Sequence, residues 1–208
     1  ALAVALVLLG AGCTKEDYRN CPSGQYICFE AMNPKHNYKE LVQTVDLFFY
    51  DRQGNLAAEY NYTRNTLREG DRAAFVPIME PGNYTVVAMI NHADCYSTTQ
   101  KESYPTLNTR LVNQVLEEAP SDFFTAIKNI NITGNYIDMK DETMILAKQN
   151  NHINLTVKLK DYTLPAGAYI DSYISACNGQ FHYSTYSCPG DSHRTYRPEV
   201  LPASELSH

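Results

Sequence analysis

The sequence predicts an all-β protein that contains two sandwich domains. Short runs of β-branched and aromatic residues recur along the chain, separated by clusters of Gly, Pro, Asn and Asp. The chain has 16 tyrosines and no tryptophan, and tyrosine is common in half-buried strands. Because 208 residues exceed the usual size of one domain, we expect a first domain over residues 25–149 and a second over residues 150–208.

Residues 1–12 have the character of a secretory signal peptide. They are uncharged and mostly aliphatic, and they are fewer than the ~20 residues that a membrane-spanning helix needs. The small residues Gly10, Ala11 and Gly12 precede Cys13, an arrangement that lipoprotein signal peptidases accept. Because no Met or basic residue precedes this run, we take it as part of a longer signal peptide and expect Cys13 to be the lipid-modified first residue of the mature protein.

A polar tether is expected over residues 13–24, between the lipid and the folded part of the chain. Directly after the predicted lipid site, Lys15, Glu16 and Asp17 form a basic-acidic-acidic run. This run resembles the signal that directs lipoproteins of Bacteroidota to the cell surface. The resemblance implies that the protein is exposed on the outer face of the outer membrane.

The first predicted strands form a hairpin after an initial short strand over residues 25–30. Residues 44–51 alternate so that three apolar side chains share one face, while Asp46 points to the other. Gly54 lies in a cluster of turn formers and can adopt positive φ. We therefore expect residues 56–63 to return antiparallel to residues 44–51.

The next pair of predicted strands connects a sheet edge to a sheet centre. Residues 73–79 contain Pro77, which lacks an N–H group and favours an edge position or a strand end. Pro81 and Gly82 then turn the chain. Residues 84–91 are apolar on both faces, which is typical of a strand in the middle of a sandwich.

A short helical insertion is predicted over residues 106–119, where four apolar residues recur at helical spacing. Residues 122–136 have a mixed pattern that predicts no regular element. Residues 143–147 read as the closing strand of the first domain.

The second predicted domain begins with the most regular alternation in the chain, over residues 153–160. Two weaker strands are predicted over residues 169–176 and 180–187. Because three strands do not close a sandwich, we expect this domain to be truncated at the C-terminal end of this chain.

Cysteine usage fits an oxidising compartment, where disulfides form and persist. Cys177 and Cys188 flank residues 181–186, and a disulfide between them would stabilise a hairpin by ~2 to 3 kcal/mol. The other pairings stay open. No pair of cysteines has CxxC spacing, so we predict no zinc site.

Composition and motifs argue against nucleic-acid binding and catalysis. The net charge is -6 and the 17 basic residues are scattered, so the chain lacks an electrostatic footprint for nucleic acid. The sequence contains no HExxH, GxSxG, phosphate-binding glycine loop or dinucleotide fingerprint. We therefore predict no enzyme activity and no cofactor.

An acidic cluster and five histidines were considered as metal ligands or catalytic groups, and they are predicted to be solvated. Asp138, Asp141 and Glu142 cluster, but they lack the ligand spacing and the glycine of an EF-hand, so we predict no metal site. Five histidines fall in turns or at polar strand positions and are expected at the surface: His36, His92, His152, His182 and His193.

Together these features resemble the FimB-type fimbrial anchor lipoproteins of Bacteroidota, which are the base subunits of type V pili. The resemblance covers residues 13–162. It rests on the lipid-site cysteine, a Cys-Pro pair, an apolar strand with a glycine turn, and a Pro-Gly-Asn-Tyr turn into a strand: Cys13, Cys21, Pro22, residues 45–51, Gly54, Pro81, Gly82 and Tyr84.

The resemblance implies two transthyretin-like β-sandwich domains, each with seven strands. It also implies an outer-membrane lipoprotein that anchors a fimbria, holds the first stalk pilin by β-strand addition and limits fibre length. Its partners would be that pilin and, through the lipid, the membrane.

Two alternatives share this fold. One is a pilin or tip subunit of the same fibre, which would lose its N-terminal strand by cleavage after an arginine such as Arg64 or Arg68. The other is a surface lipoprotein that binds glycans on stacking platforms formed by tyrosines: Tyr60, Tyr62, Tyr183 and Tyr186.

Overall fold

In the computed structural model, nearly all of the regular secondary structure that is described is β-strand, which confirms the predicted all-β class. It describes residues 24–33, 35, 37–92, 96–112, 115–116, 122–133, 140–149, 160, 163, 165, 173–177, 180–185 and 194–196. Within these residues there is one short α-helix, α1 (Tyr38–Leu41), and a 3-10 turn (Tyr104–Thr106). None of the described helices has the length and apolar character to cross a membrane.

Thirteen strands occur in the described residues. In chain order they are β1 (Gly24–Ala31), β2 (Thr44–Tyr50), β3 (Leu56–Thr63), β4 (Ala74–Pro77), β5 (Gly82–Ile90), β6 (Tyr96–Thr99), β7 (Asn108–Leu111), β8 (Val115–Leu116), β9 (Phe124–Ile132), β10 (Glu142–Lys148), β11 (Ile174–Cys177), β12 (Gln180–His182) and β13 (Arg194–Tyr196). Seven form one sheet in the order β3-β2-β5-β9-β10-β1-β4. Two three-stranded sheets have the orders β12-β7-β6 and β11-β13-β8.

The seven-stranded sheet folds into two layers because β10 changes partner along its length. Residues 142–146 pair with β1 in parallel, whereas Ala147 and Lys148 pair with β9 in antiparallel. A strand that switches partner in this way forms the corner of a sandwich. The first core lies between the layer β3-β2-β5-β9 and the layer β10-β1-β4, and it includes Ile27, Val76 and Met144 from the second layer.

The predicted hairpin and strand faces are confirmed. Val45, Leu47 and Phe49 of β2 are fully buried in the first core. Gly54 has a φ of 83° in the turn between β2 and β3, which pair in antiparallel as expected. β4, which ends at Pro77, lies at the edge of the sheet, and β5 lies near its centre.

A third layer explains why β5 is apolar on both faces. The sheet β12-β7-β6 contributes to a second core on the outer face of β2 and β5. The buried members of this second core are Phe48, Tyr50, Val87, Met89, Leu107, Phe123 and Tyr183.

The predicted helix over residues 106–119 is wrong. The described residues of this segment include β7 and β8, and the short helix of the fold is α1 instead. A spacing of four residues between Leu107 and Leu111 fits strand alternation as well as a helix. Backbone pairing of β7 with β6 and β12 decides between the two.

Sequence reasoning also missed β9, a nine-residue strand at the centre of the sheet. Phe124, Ala126, Ile130 and Ile132 alternate into the first core, but Lys128 interrupts the pattern. Its ammonium group lies 2.6 Å from a carboxylate oxygen of Glu142 on β10, which satisfies the charge.

Part of the second predicted domain lies outside the described residues, including residues 150–159 and with them most of the predicted strand 153–160. β11 overlaps the end of the predicted strand 169–176, and β12 lies within the predicted strand 180–187. The division into two domains stays a prediction. β12, which that division places in the second domain, pairs with β7 of the first.

Candidate strand-acceptor edge

β3 is the end strand of the seven-stranded sheet, and only β2 pairs with it in the described part of the chain. The N–H of Arg64 donates to the carbonyl of Gln43 at 2.8 Å, which fixes the phase of the ladder. Antiparallel ladders alternate between residues that bond to the partner and residues that point away. Glu59 and Asn61 therefore direct their N–H and C=O groups away from β2.

The open part of this edge is bounded at both ends. At one end the N–H of Leu56 donates to the carbonyl of Glu102 at 2.9 Å. At the other end, the N–H of Thr63 donates to Oγ1 of Thr66 at 2.9 Å. We call residues 57–62 the open edge; it is long enough for several backbone hydrogen bonds to an added strand.

The charge on β3 is neutralised by a neighbour. Glu59 is the one charged residue of this strand, and its carboxylate lies 2.6 Å from the ammonium of Lys101. Unpaired charges on an edge strand discourage the addition of another strand. The open edge does not have that protection.

The opposite end of the sheet, β4, is a poorer acceptor. It has four residues and ends at Pro77, which has no N–H to donate. The hydroxyl of Tyr62 on β3 donates to the carbonyl of Phe75 on β4, and the Tyr62 ring packs against the first core. Burial raises the pKa of Tyr62 to about 12. A side-chain hydrogen bond therefore links the two ends of the sheet.

A second opening lies between β9 and β10, which pair only at residues 124–125 and 147–148. Lys128 bridges this opening with hydrogen bonds to Glu142 at 2.6 Å and to the carbonyl of Thr143 at 2.9 Å. An added strand would have to displace this ion pair. The open edge of β3 is therefore the better candidate.

Arg68 holds the loop between β3 and β4 against the outer face of β1. Its guanidinium lies 2.5 Å from a carboxylate oxygen of Asp71 and 3.9 Å above the centroid of the Tyr26 ring. The Arg68 hydrogen bond lowers the pKa of Asp71. Burial, chiefly, raises the pKa of the neighbouring Cys28 thiol.

The acidic cluster that was considered for calcium is engaged by the protein itself. Asp141 accepts a hydrogen bond from the N–H of Tyr26 at 3.3 Å and lies 3.6 Å from Arg68, while Glu142 pairs with Lys128. Asp138 lies outside the described residues. Across the described ranges, no group of His, Cys, Asp and Glu could hold a metal ion.

His92 does not lie at the surface as predicted. Its side chain is 12% exposed; Nδ1 lies 2.6 Å from Oδ2 of Asp46, and Nε2 lies 2.9 Å from Oγ1 of Thr98. The ring packs at 6.4 Å from that of Phe123. The sequence signal for this pairing is Asp46, a charged residue in an otherwise apolar strand, which required a buried partner.

The proposed lipid site and the predicted export signal, Cys13, Lys15, Glu16 and Asp17, lie outside the described residues. The Pro81, Gly82 and Tyr84 motif lies at the start of β5. Pro81 is exposed and Gly82 is the first residue of the strand. Tyr84 is buried in the first core, and its hydroxyl donates to the carbonyl of Glu80 at 2.8 Å.

The cysteine pairing stays a prediction. Cys177 is the last residue of β11, and Cys188 lies outside the described residues. Cys28 is a free thiol that is half-buried.

The described tyrosines that were considered as glycan platforms are buried or half-buried. Tyr183 is fully buried, and Tyr60 packs edge-on against Phe49 at 5.7 Å between ring centroids. Tyr62 contacts the first core, and Tyr186 lies outside the described residues. Tyr183 is therefore unavailable as an exposed stacking surface, and Tyr60 and Tyr62 are half-buried because each packs against the first core.

A β-sandwich with an open strand edge defines a class of proteins that can bind extended segments by strand addition. The sequence model of the Mfa2 family, described as fimbrillin-A associated anchor proteins Mfa1 and Mfa2, matches residues 18–206. The chain belongs to this family. It is therefore a fimbria-associated protein of the cell envelope, in a family of structural anchor proteins and not of enzymes.

Solved structures show the same fold at low sequence identity. A candidate polysaccharide-binding protein from Bacteroides thetaiotaomicron superposes with a TM-score of 0.67 and 16% identity, over 88% of this chain and 67% of its own. A candidate adhesin from Bacteroides ovatus gives 0.68 and 13%, over 84% and 62%. A candidate adhesin from B. thetaiotaomicron gives 0.60 and 18%, over 88% and 64%. This chain thus spans about two thirds of their length. No curated protein sequence matches it.

Proposed function

We propose that this protein is an outer-membrane lipoprotein that anchors a fimbria at the cell surface and holds the first stalk pilin by β-strand addition. The observation that carries the proposal is the open edge of β3 in a member of a fimbrial anchor family. A subunit that is fixed in the membrane ends the fibre, so its supply limits fibre length.

The open edge supplies what an added strand needs. The outward N–H and C=O groups of Glu59 and Asn61 offer backbone hydrogen bonds, each with a net value of about 0.5 to 1.5 kcal/mol. Tyr60 and Tyr62, which pack on the first core, offer apolar surface to alternate side chains of the pilin segment. Backbone bonds provide affinity, and the alternation provides the register.

The lipid on Cys13 would hold the acceptor close to the membrane. β1 begins at Gly24, and an extended residue spans at most ~3.6 Å, so the tether over residues 14–23 reaches roughly 35 Å. Acyl chains contribute ~0.8 kcal/mol per buried methylene, which makes anchoring by several chains stable. The export signal at Lys15, Glu16 and Asp17 would direct the protein to the outer face.

The alternative of a cleaved pilin is less favourable on energetic grounds. Cleavage after Arg64 or Arg68 would separate β1, β2 and β3 from the rest of the sheet. β1 and β2 are interior strands and contribute Ile27, Leu47 and Phe49 to the first core. The intact chain of an anchor retains these contacts.

The strand-addition site can be tested by removing one donor from the open edge. Asn61→Pro deletes an outward N–H and leaves the hydrogen bonds between β2 and β3 in place, whereas Asn61→Ala keeps that N–H. Cells with Asn61→Pro should shed their fibres into the medium, and cells with Asn61→Ala should retain them. Equal retention by two folded variants would rule out this edge.

The lipid anchor can be tested separately. Cys13→Ala should leave the sandwich folded but release the protein, together with its fibres, into the medium. If the variant stays with the outer membrane, the anchor does not depend on Cys13.

A further inference from the structure

A segment late in the chain completes the second core. β12 adds to the edge of β7 in antiparallel, with Phe181 opposite Thr109 and His182 opposite Asn108. The N–H of the next residue, Tyr183, donates to the carbonyl of Leu107 at 3.3 Å. This arrangement is strand addition within one chain, because the two segments lie about 70 residues apart in the sequence.

The side chain of Tyr183 fills the second core. It is fully buried beside Tyr50 and Leu107 of this core, and its hydroxyl lies 2.8 Å from Oγ1 of Thr109. A buried phenol needs such a partner, since an unpaired hydroxyl in an apolar core is costly. Phe181 packs edge-on against the Tyr183 ring at 5.1 Å, and the hydroxyl of Ser184 donates to the carbonyl of Pro105 at 3.0 Å.

We infer that β12 and the first two residues of the turn after it, residues 180–184, are an internal donor segment. The β7 edge and the core beneath it form an acceptor site for a segment with aromatic residues two positions apart, and Tyr183 holds the C-terminal part of the chain on the first sandwich. The residues before 150 thus leave the second core incomplete. The first and second predicted domains are coupled through this site.

The pocket is selective in chemical terms. An aliphatic side chain in place of Tyr183 would leave the hydroxyl of Thr109, which is 2% exposed, without its tyrosine partner. A charged side chain would be buried without a counter-ion. A strand with a tyrosine at this register satisfies both the apolar walls and the polar group.

Hydrogen exchange on the full chain tests this inference. In Tyr183→Ala, amides of β7 and of residues 180–184 should exchange about 100-fold faster or more, as expected for truncation of a buried aromatic residue. Amides of β2 and β5 should keep their protection. Tyr173→Ala removes a tyrosine that is 69% exposed and should change neither region.

Unchanged protection of residues 180–184 in Tyr183→Ala would overturn the inference, because the segment would then be held by other contacts. Equal loss of protection in β5 would also overturn it, because the coupling would not be local. If Tyr183→Ala does not fold, Tyr183→Phe provides the test, since it keeps the ring and loses the bond to Thr109. Its local exchange should rise about fivefold, and no rise would contradict the assignment.

Discussion

The two faces of β2 and β5 are closed in different ways. On the inner face, Leu47 and Phe49 belong to the first core, which is formed by strands of one continuous sheet. On the outer face, Phe48 and Met89 belong to the second core. This core is completed by the separate sheet that contains β7 and by Tyr183, which lies in the turn after β12. The first core therefore follows from the alternation of apolar residues along the strands, whereas the second depends on a segment that is distant in the sequence.

The polar content of the two faces also differs. The outer face includes Asp46 of β2, which is 8% exposed and paired with His92. The sheet that covers this face includes Thr109 of β7, which is 2% exposed and bonded to Tyr183. Buried polar groups stabilise the fold only when their hydrogen-bond or ion-pair partners are in place, so they disfavour other registers of the two sheets. The apolar inner face favours burial against any apolar surface, whereas the polar groups at the outer face specify how the second sheet packs.

The largest expected effect distinguishes alanine substitutions of two adjacent phenylalanines, which lie on opposite faces of β2. Phe49→Ala should lower the global free energy of unfolding by about 3 to 5 kcal/mol, because it opens a cavity in the first core. Phe48→Ala should first increase hydrogen exchange in β6 and β7, since it loosens the contact between the sheets. Chemical denaturation and hydrogen exchange measure the two effects. If both variants lose protection evenly throughout the fold, the two cores are not separable.

A smaller effect is expected at the buried Asp46–His92 pair. Asp46→Asn should lower the free energy of unfolding by about 1 to 3 kcal/mol, because the close contact between Oδ2 of Asp46 and Nδ1 of His92 loses its negative charge in a site with little solvent. Asp122→Asn breaks the more exposed ion pair with Lys148 and should cost about 1 kcal/mol or less. A double-mutant cycle with His92→Gln measures the coupling, and a coupling near zero would remove the proposed role of this pair in docking the second sheet.

The smallest effect is expected at the link between β3 and β4. Tyr62→Phe should lower the free energy of unfolding by about 1 kcal/mol near neutral pH, because the hydrogen bond to Phe75 is lost. Burial raises the pKa of Tyr62 to about 12, so the folded state favours the neutral phenol. This contribution is complete below pH ~10 and is lost as the pH rises through 12. Denaturation of wild type and Tyr62→Phe from pH 8 to 11 should show a difference that narrows above pH 10; equal stability at pH 8 would contradict it.

The features that could be predicted from the sequence are those that depend on patterns of neighbouring residues. The inner face of β2, the Gly54 turn and the edge position of Pro77 depend on alternation and backbone chemistry within a few residues. His92 and Tyr183 were misjudged because their partners, Asp46 and Thr109, lie far away in the sequence. The open edge could not be located in advance, since it depends on which strand ends the sheet.

The most direct test of the anchor account is photo-crosslinking from the open edge in fibre-bearing cells. A photoreactive residue at Asn61, which is exposed on β3, should form an adduct with a stalk pilin that mass spectrometry can identify. The same residue at Thr85, on a strand flanked by β2 and β9, should not. A pilin adduct at position 61 alone is the predicted result. No adduct at 61 from cells whose fibres remain attached would contradict strand addition at β3.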